Sequence, residues 1–273
     1  MAAICLVSNT VSDMIRIMKS GNFSYNDGNI YFEVSGSGDP IVFIHGFSLD
    51  HRMWQLQVEH LSKTHRVVTY DMRGFGQSSL PTSTYSHHND LKALLDHLTI
   101  EQAYIVGLSL GGEVAIDFAL TQPAMVESLA LLETSLGGFA STVDWDVHAD
   151  KVGIEQAKIN WLNHRVFSQS IANPIARRAL EDAMKDYSGW HWQHNDLRQK
   201  LQSPAKDQLN EIVAPTLIAV GEKDLSYYHD IAAILHERIE GSKLTTIAGA
   251  GHMVNIEKPD EINSLLSDFI TQS

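Results

Sequence analysis

Short runs of uninterrupted apolar residues alternate along this chain with segments of helical period. Residues 41–44 (Ile-Val-Phe-Ile), 104–106 (Tyr-Ile-Val), 126–132 and 215–220 are apolar enough to read as strands buried on both faces. Residues 66–70 and 243–247 extend the series. Between and after them, residues 54–61, 91–97, 113–120, 229–239 and 259–270 space their apolar positions as one face of a helix does. Strand then helix, repeated, predicts an α/β fold with a doubly wound, mostly parallel sheet. Ahead of it, residues 23–25 and 30–34 flank Asn26-Asp27-Gly28 and read as a hairpin with an Asp-Gly turn. Residues 14–18 suit a short helix or a loose extension, so residues 1–20 are expected to precede the folded domain as an N-terminal extension.

The strand signal stops between residues 137 and 209. That segment holds helix-compatible runs at 154–162, 175–185 and 196–201, and is rich in aromatics: Trp145, Trp161, Phe167, Tyr187, Trp190 and Trp192. It reads as a helical cap inserted over the carboxyl edge of the sheet, which divides the α/β core into residues 21–136 and 210–273. Trp161, Tyr187 and Trp190 of the cap, with Met253 of the core, are the expected pocket-lining residues. Trp54 is expected to pack in the core, and His45 to serve as a structural hydrogen-bonding residue.

Composition narrows the functional classes. The 273 residues carry a formal charge of −13, which disfavours sequence-independent binding to nucleic acid or to anionic membrane. No apolar run approaches the length of a membrane-spanning helix, and the N-terminus lacks a positively charged leader, so a cytoplasmic location is expected. The lone Cys5 has no intramolecular disulfide partner. The 14 histidines invite a metal reading, but neither His87-His88 nor His191 with His194 has Cys or Glu at zinc-ligand spacing. A small-molecule substrate without metal or cofactor is the expectation, and nothing in the sequence specifies an oligomeric state.

The chemistry centres on Gly107-Leu108-Ser109-Leu110-Gly111, a G-x-S-x-G pentapeptide lying between an expected strand and an expected helix. A turn that sharp lifts the Ser109 hydroxyl above the sheet and leaves the Leu110 N–H at a helix N-terminus, where partial positive charge favours an oxyanion. His45-Gly46-Phe47 follows the first buried strand, so the Phe47 N–H is a candidate second donor. Asp224 and His252 also follow strands, and ligands of such sheets bind beyond the carboxyl ends. Serine needs an adjacent base, histidine supplies one near neutral pH, and a carboxylate fixes the imidazole tautomer. Glu133, after the preceding strand, is an alternative carboxylate. Asp71, also at a strand end, is a further acid of either turn-forming or catalytic use.

Together, His45-Gly46-Phe47, Asp71-x-Arg73-Gly74-x-Gly76-x-Ser78, Gly107-x-Ser109-x-Gly111-Gly112, Gly221-x-x-Asp224 and Gly251-His252 resemble the α/β-hydrolase superfamily, in that family's order. The likeness spans roughly residues 25–270. It implies Ser109 as nucleophile, Asp224 as acid, His252 as base, and Phe47 and Leu110 as oxyanion donors. The chain departs from the family's frequent proline after the acid: Leu225-Ser-Tyr-Tyr-His stands there instead. A serine rather than an aspartate nucleophile disfavours epoxide opening and halide displacement. The resemblance is nearest to serine esterases and enol-lactonases acting on a small ester, thioester or lactone. Carbon–carbon hydrolysis of a vinylogous diketone, or slow-turnover sensing with an intact triad, are the alternatives.

Overall fold

The computed structural model describes residues 17–272. Its frame is one eight-stranded sheet: β1 (Ile17–Tyr25), β2 (Gly28–Ser35), β3 (Pro40–Ile44), β4 (Arg66–Tyr70), β5 (Ala103–Leu108), β6 (Val126–Leu132), β7 (Thr216–Gly221) and β8 (Lys243–Ile247), in the order β1-β2-β4-β3-β5-β6-β7-β8. β1 and β2 are antiparallel, β2 is antiparallel to β4, and every pairing from β4 through β8 is parallel. The chain leaves β3 for β4 on one side and then returns to lay β5 on the other, so the strand order reverses around β3. That reversal opens the crevice in which doubly wound sheets bind ligands.

The central strands are apolar on both faces because helices flank the sheet. Ile41, Val42, Phe43 and Ile44 are buried, as are Ile105, Val106, Leu129, Leu131, Leu132 and Ile218. The core helices are α1 (Gln55–Leu61), α2 (His87–His97) and α3 (Leu110–Thr121). The insertion after β6 then carries α4 (Ala149–Val152), α5 (Ile154–Leu162), α6 (Ser168–Ala172), α7 (Pro174–Asp186) and α8 (Trp190–Gln193). The core resumes with α9 (Ser226–Arg238), α10 (Val254–Glu257) and α11 (Pro259–Gln272). α1 packs on α11, α2 on α3, and α9 on β7 and β8. Among the described residues, no helix is long and apolar enough to cross a membrane.

Three local expectations need correction. β1 begins at Ile17, so Ile17–Ser20 belong to the sheet and not to an N-terminal extension. Residues 1–16 lie outside the described residues, and with them most of the possible short helix at 14–18. The hairpin turn is Asn26-Asp27, Asn26 taking φ 53°, while Gly28 already pairs with Tyr25. Gly28 lies against a distant side chain: a Cβ there would lie 2.3 Å from Nη1 of Arg73. Residues 196–201 are not helical. Their backbone pairs with Tyr85 instead, through Tyr85 N–H to Leu197 O and Gln199 N–H to Tyr85 O. Arg198 meanwhile reaches Glu113 on α3 at 3.2 Å, which anchors this arm of the cap to the core.

Candidate active site

Strand register gathers the site. Ile44 pairs with Tyr70 and Gly107, Leu108 with Leu132, Leu132 with Ala219, and Gly221 with Ile247. Whatever follows each strand therefore emerges along one edge, and this includes residues 45–47, 109, 133, 222–224 and 248–252. Ser109 sits between β5 and α3 with φ 56° and ψ −116°. The glycines beside it are obligatory: a Cβ on Gly107 would lie 2.2 Å from the Gly111 carbonyl oxygen, and one on Gly111 would lie 2.1 Å from that of Ile44. The turn is pinned from behind by Ser109 N–H to Leu132 O at 3.0 Å, and its own carbonyl accepts Ser135 N–H at 3.1 Å.

His252 follows β8 in the loop that leads to α10, and its Nδ1 lies 2.7 Å from Oδ2 of Asp224. The other oxygen of Asp224 accepts the Leu225 N–H at 2.7 Å. Burial pushes the Asp224 carboxyl up, yet the adjacent His252 and hydrogen bonds from His252 and Glu133 outweigh it and hold the group below the usual carboxylate range. Asp224 is thus an ionised carboxylate bonded to the imidazole. With Nδ1 donating to Asp224, Nε2 of His252 is left free to act as a base.

Ser109 and His252 both line a cavity of about 310 Å³ beneath the cap. Tyr228, in the first turn of α9, joins them. Its ring centroid lies 4.3 Å from that of His252, and it lines the same cavity as Ser109. Phe47 and Leu110 also line the cavity, and among the described residues neither amide N–H has an acceptor in the protein. A helix leaves its first N–H groups unpaired, which accounts for Leu110; for Phe47 the cause is the turn after Gly46.

The rest of the wall is aromatic and aliphatic: Trp145, Trp161, Phe167, Trp192, Tyr227 and Met253 among them. Among the described residues, no Lys, Arg, Asp or Glu side chain lines it. Of the four expected pocket residues, Trp161 and Met253 are on the wall and Tyr187 and Trp190 are not. Tyr187 packs behind Phe47, stacks on Phe75 at 5.8 Å, and bonds through its hydroxyl to Nδ1 of His191 at 3.0 Å. Trp190 stacks on His194 at 5.1 Å. Trp161 has a second function, since its indole N–H donates to Ser48 Oγ at 2.7 Å and ties the cap to the loop after β3.

The remaining sequence candidates fall outside the cavity wall. His45 is buried with Nδ1 on Gly46 O at 2.8 Å and Nε2 accepting Met72 N–H at 2.9 Å, so it fastens two loops to each other. Asp71 accepts from His51 Nδ1, His51 N–H and Gln77 N–H. Asp50, His51 and Asp71 are close enough to hold a cation. Burial pushes the His51 pKa down, but its bonds to Asp71 and Glu33 prevail and raise it to about 10, so the imidazolium itself supplies the positive charge there. Trp54 is fully buried against Phe43, ring centroids 4.7 Å apart.

With this arrangement in view, the kinship is plain. The Alpha/beta hydrolase family model matches residues 41–265, and the chain belongs to that family. It is 30% identical to the AB hydrolase superfamily protein YisY of Bacillus subtilis (strain 168), over 88% of this chain and 94% of that one. It is 27% identical to 3-oxoadipate enol-lactonase 1 of Acinetobacter baylyi, over 84% of this chain and 88% of that one. Among solved structures, Est816, described as an N-acyl homoserine lactone degrading enzyme, superposes with a TM-score of 0.74 at 27% identity, covering 91% of this chain and all of the other.

Proposed function

We propose that this protein is a serine hydrolase that cleaves an uncharged, predominantly apolar ester, thioester or lactone through an acyl-enzyme. The observation that carries the reading is the meeting, at one apolar cavity, of a serine on a strained strand–helix turn with an imidazole already bonded to a buried carboxylate. Ser109 attacks the carbonyl carbon while Nε2 of His252 takes the hydroxyl proton. The resulting imidazolium is balanced by Asp224. The amides of Phe47 and Leu110 receive the tetrahedral oxyanion, each such donor being worth about 10²–10³ in rate. His252 then returns the proton to the departing oxygen or sulfur, and a water molecule deacylates Ser109 by the same relay.

The wall sets the substrate class. With no lysine or arginine among the described residues of the wall to meet a carboxylate or phosphate, binding an anionic substrate would mean desolvating its charge without compensation. Seven indole, phenol and phenyl side chains favour flat or branched apolar groups instead. Similarity to an enol-lactonase and to a lactone-degrading enzyme supports a cyclic or acyclic ester.

The test is hydrolysis of p-nitrophenyl butyrate by wild type and Ser109→Ala. Turnover is expected to fall by about 10³-fold or more in the variant, and retention of more than a few per cent of kcat would remove Ser109 from the nucleophile role. In a matched pair of esters that differ only by a carboxylate on the acyl chain, the neutral one is expected to have the higher kcat/KM.

A further inference from the structure

Glu133 follows β6 with φ 47°, and its side chain is buried beside the Asp224–His252 pair. Its Oε1 accepts the Gly221 N–H, while Oε2 meets no N–H or hydroxyl donor. The Asp224 carboxylate lies beside it, close enough for the two acids to interact electrostatically. One carboxyl oxygen from each acid and a ring nitrogen of His252 lie within 4.8 Å of one another. Asp224 brings no proton to that contact, since its two oxygens already accept from His252 and Leu225. Two bare carboxylates repel each other at such range, and a single proton between them turns the repulsion into a hydrogen bond.

We propose that Glu133 is a neutral carboxylic acid that donates its proton to the Asp224 carboxylate, a positioning residue that fixes the acid of the triad and keeps the charge beneath His252 at one negative rather than two. Its effect on turnover rests on the hydrolase reading above, whereas its protonation does not. The groups facing it are Asp224, His252, Tyr228 and Glu257, and none brings a positive charge that Asp224 does not already balance. Burial, then the charge of Asp224, push the Glu133 carboxyl well above the usual range. The strand–loop register explains the placement: Glu133 N–H is held by Ala219 O at 3.0 Å, beside the strand that delivers Asp224. A second ionised carboxylate here would hold the proton on His252 and withdraw the base at neutral pH. A neutral donor instead orients Asp224 without adding charge.

Infrared difference spectroscopy on the resting protein at pH 7 tests the protonation directly. The wild-type spectrum minus that of Glu133→Gln is expected to show the band of one buried protonated carboxyl; the band of Asp117, which burial raises to about 7, cancels in the difference. Absence of the carboxyl band from that difference overturns the proposal. The kinetic arm compares the pH dependence of kcat/KM. Glu133→Gln keeps a neutral donor, so the acidic midpoint should stay within about 0.3 pH unit of wild type. A fall of about one unit would mean that a negative charge had been removed, and would refute a neutral Glu133. Glu133→Ala should lose about tenfold in kcat, the size of one hydrogen bond to a charged group, and Glu133→Gln should recover most of it. If Glu133→Ala does not fold, the infrared and Glu133→Gln arms decide alone. An intact carboxyl band in a protein that hydrolyses no ester would sink the hydrolase reading and leave the protonation standing.

Discussion

The backbone of Ser109 offers a test of the site that requires no substrate. With φ 56° and ψ −116°, residue 109 occupies a region that side chains other than glycine enter at a cost of about 1–3 kcal/mol. The turn cannot relax by moving its flanks, because Gly107 lies against the Gly111 carbonyl and Gly111 against that of Ile44. The strain is therefore localised on one Cβ. Removing that atom in Ser109→Gly relieves it, while the extra freedom of glycine in the unfolded chain takes back about 0.5–1 kcal/mol. Ser109→Ala is the right reference, since it loses the same hydroxyl and keeps the Cβ. Ser109 borders the cavity, so no packed void opens on truncation. Ser109→Gly should then exceed Ser109→Ala in stability by about 1 kcal/mol, which in a chain of this size raises Tm by about 2–4 °C. Urea denaturation followed by tryptophan fluorescence, with calorimetry as a second probe, measures the difference. A glycine variant equal to or less stable than the alanine variant would show that the elbow is not strained, and would remove the structural reason for a serine held there.

Two further outcomes follow from buried polar contacts away from Ser109. His191 stacks on Phe75 at 4.3 Å, and burial holds its pKa down at about 4; because the folded value lies below the unfolded one, near 6.5, its contribution is full above that pH and is lost as pH falls towards 4. Wild type should therefore lose more stability between pH 7.5 and 4.5 than His191→Phe, measured by urea midpoints, and equal losses would contradict the sign. Arg73 holds Asp90 through Nε at 3.0 Å and Nη2 at 2.8 Å, both side chains being buried. Arg73→Ala strands that carboxylate and should cost about 3–5 kcal/mol, whereas the double change Arg73→Met with Asp90→Leu should recover most of it; a single-variant loss below about 1 kcal/mol would show the pair to be solvated.

The middle of the sheet was legible because β3, β5, β6 and β7 are almost wholly buried. A continuous apolar run such as residues 41–44 has no other stable use between two short turns, and these buried runs end at His45, Gly107, Glu133 and Gly221. Parallel register then does the rest, since it aligns the ends of β3 through β8 at one edge. The misread segments are those where a distant partner overrides local preference. Residues 196–201 have helical composition, but Tyr85 captures their backbone and Glu113 captures Arg198. The hairpin turn falls one residue earlier than the Asp-Gly pair suggests, because Asn26 takes the positive φ and Gly28 already pairs with Tyr25.

The cavity wall was the least legible part, and the reason is rotational. In the cap, Trp190 and Trp192 are two residues apart on a helix of four, so they point in different directions, and only packing decides which faces the cavity. Tyr227 and Tyr228 carried a readable signal. Where similar chains often place a proline, this one has Leu225-Ser-Tyr-Tyr, and α9 starts at Ser226, so its first turn stands directly beyond the carboxyl end of β7. Buried positions Ile231, Ala232 and Leu235 continue the same helical face as Tyr227 and Tyr228, which directs both phenols inward along the edge that Asp224 also follows. Both phenols line the cavity with Ser109, so the segment that departs from the family pattern supplies part of its wall.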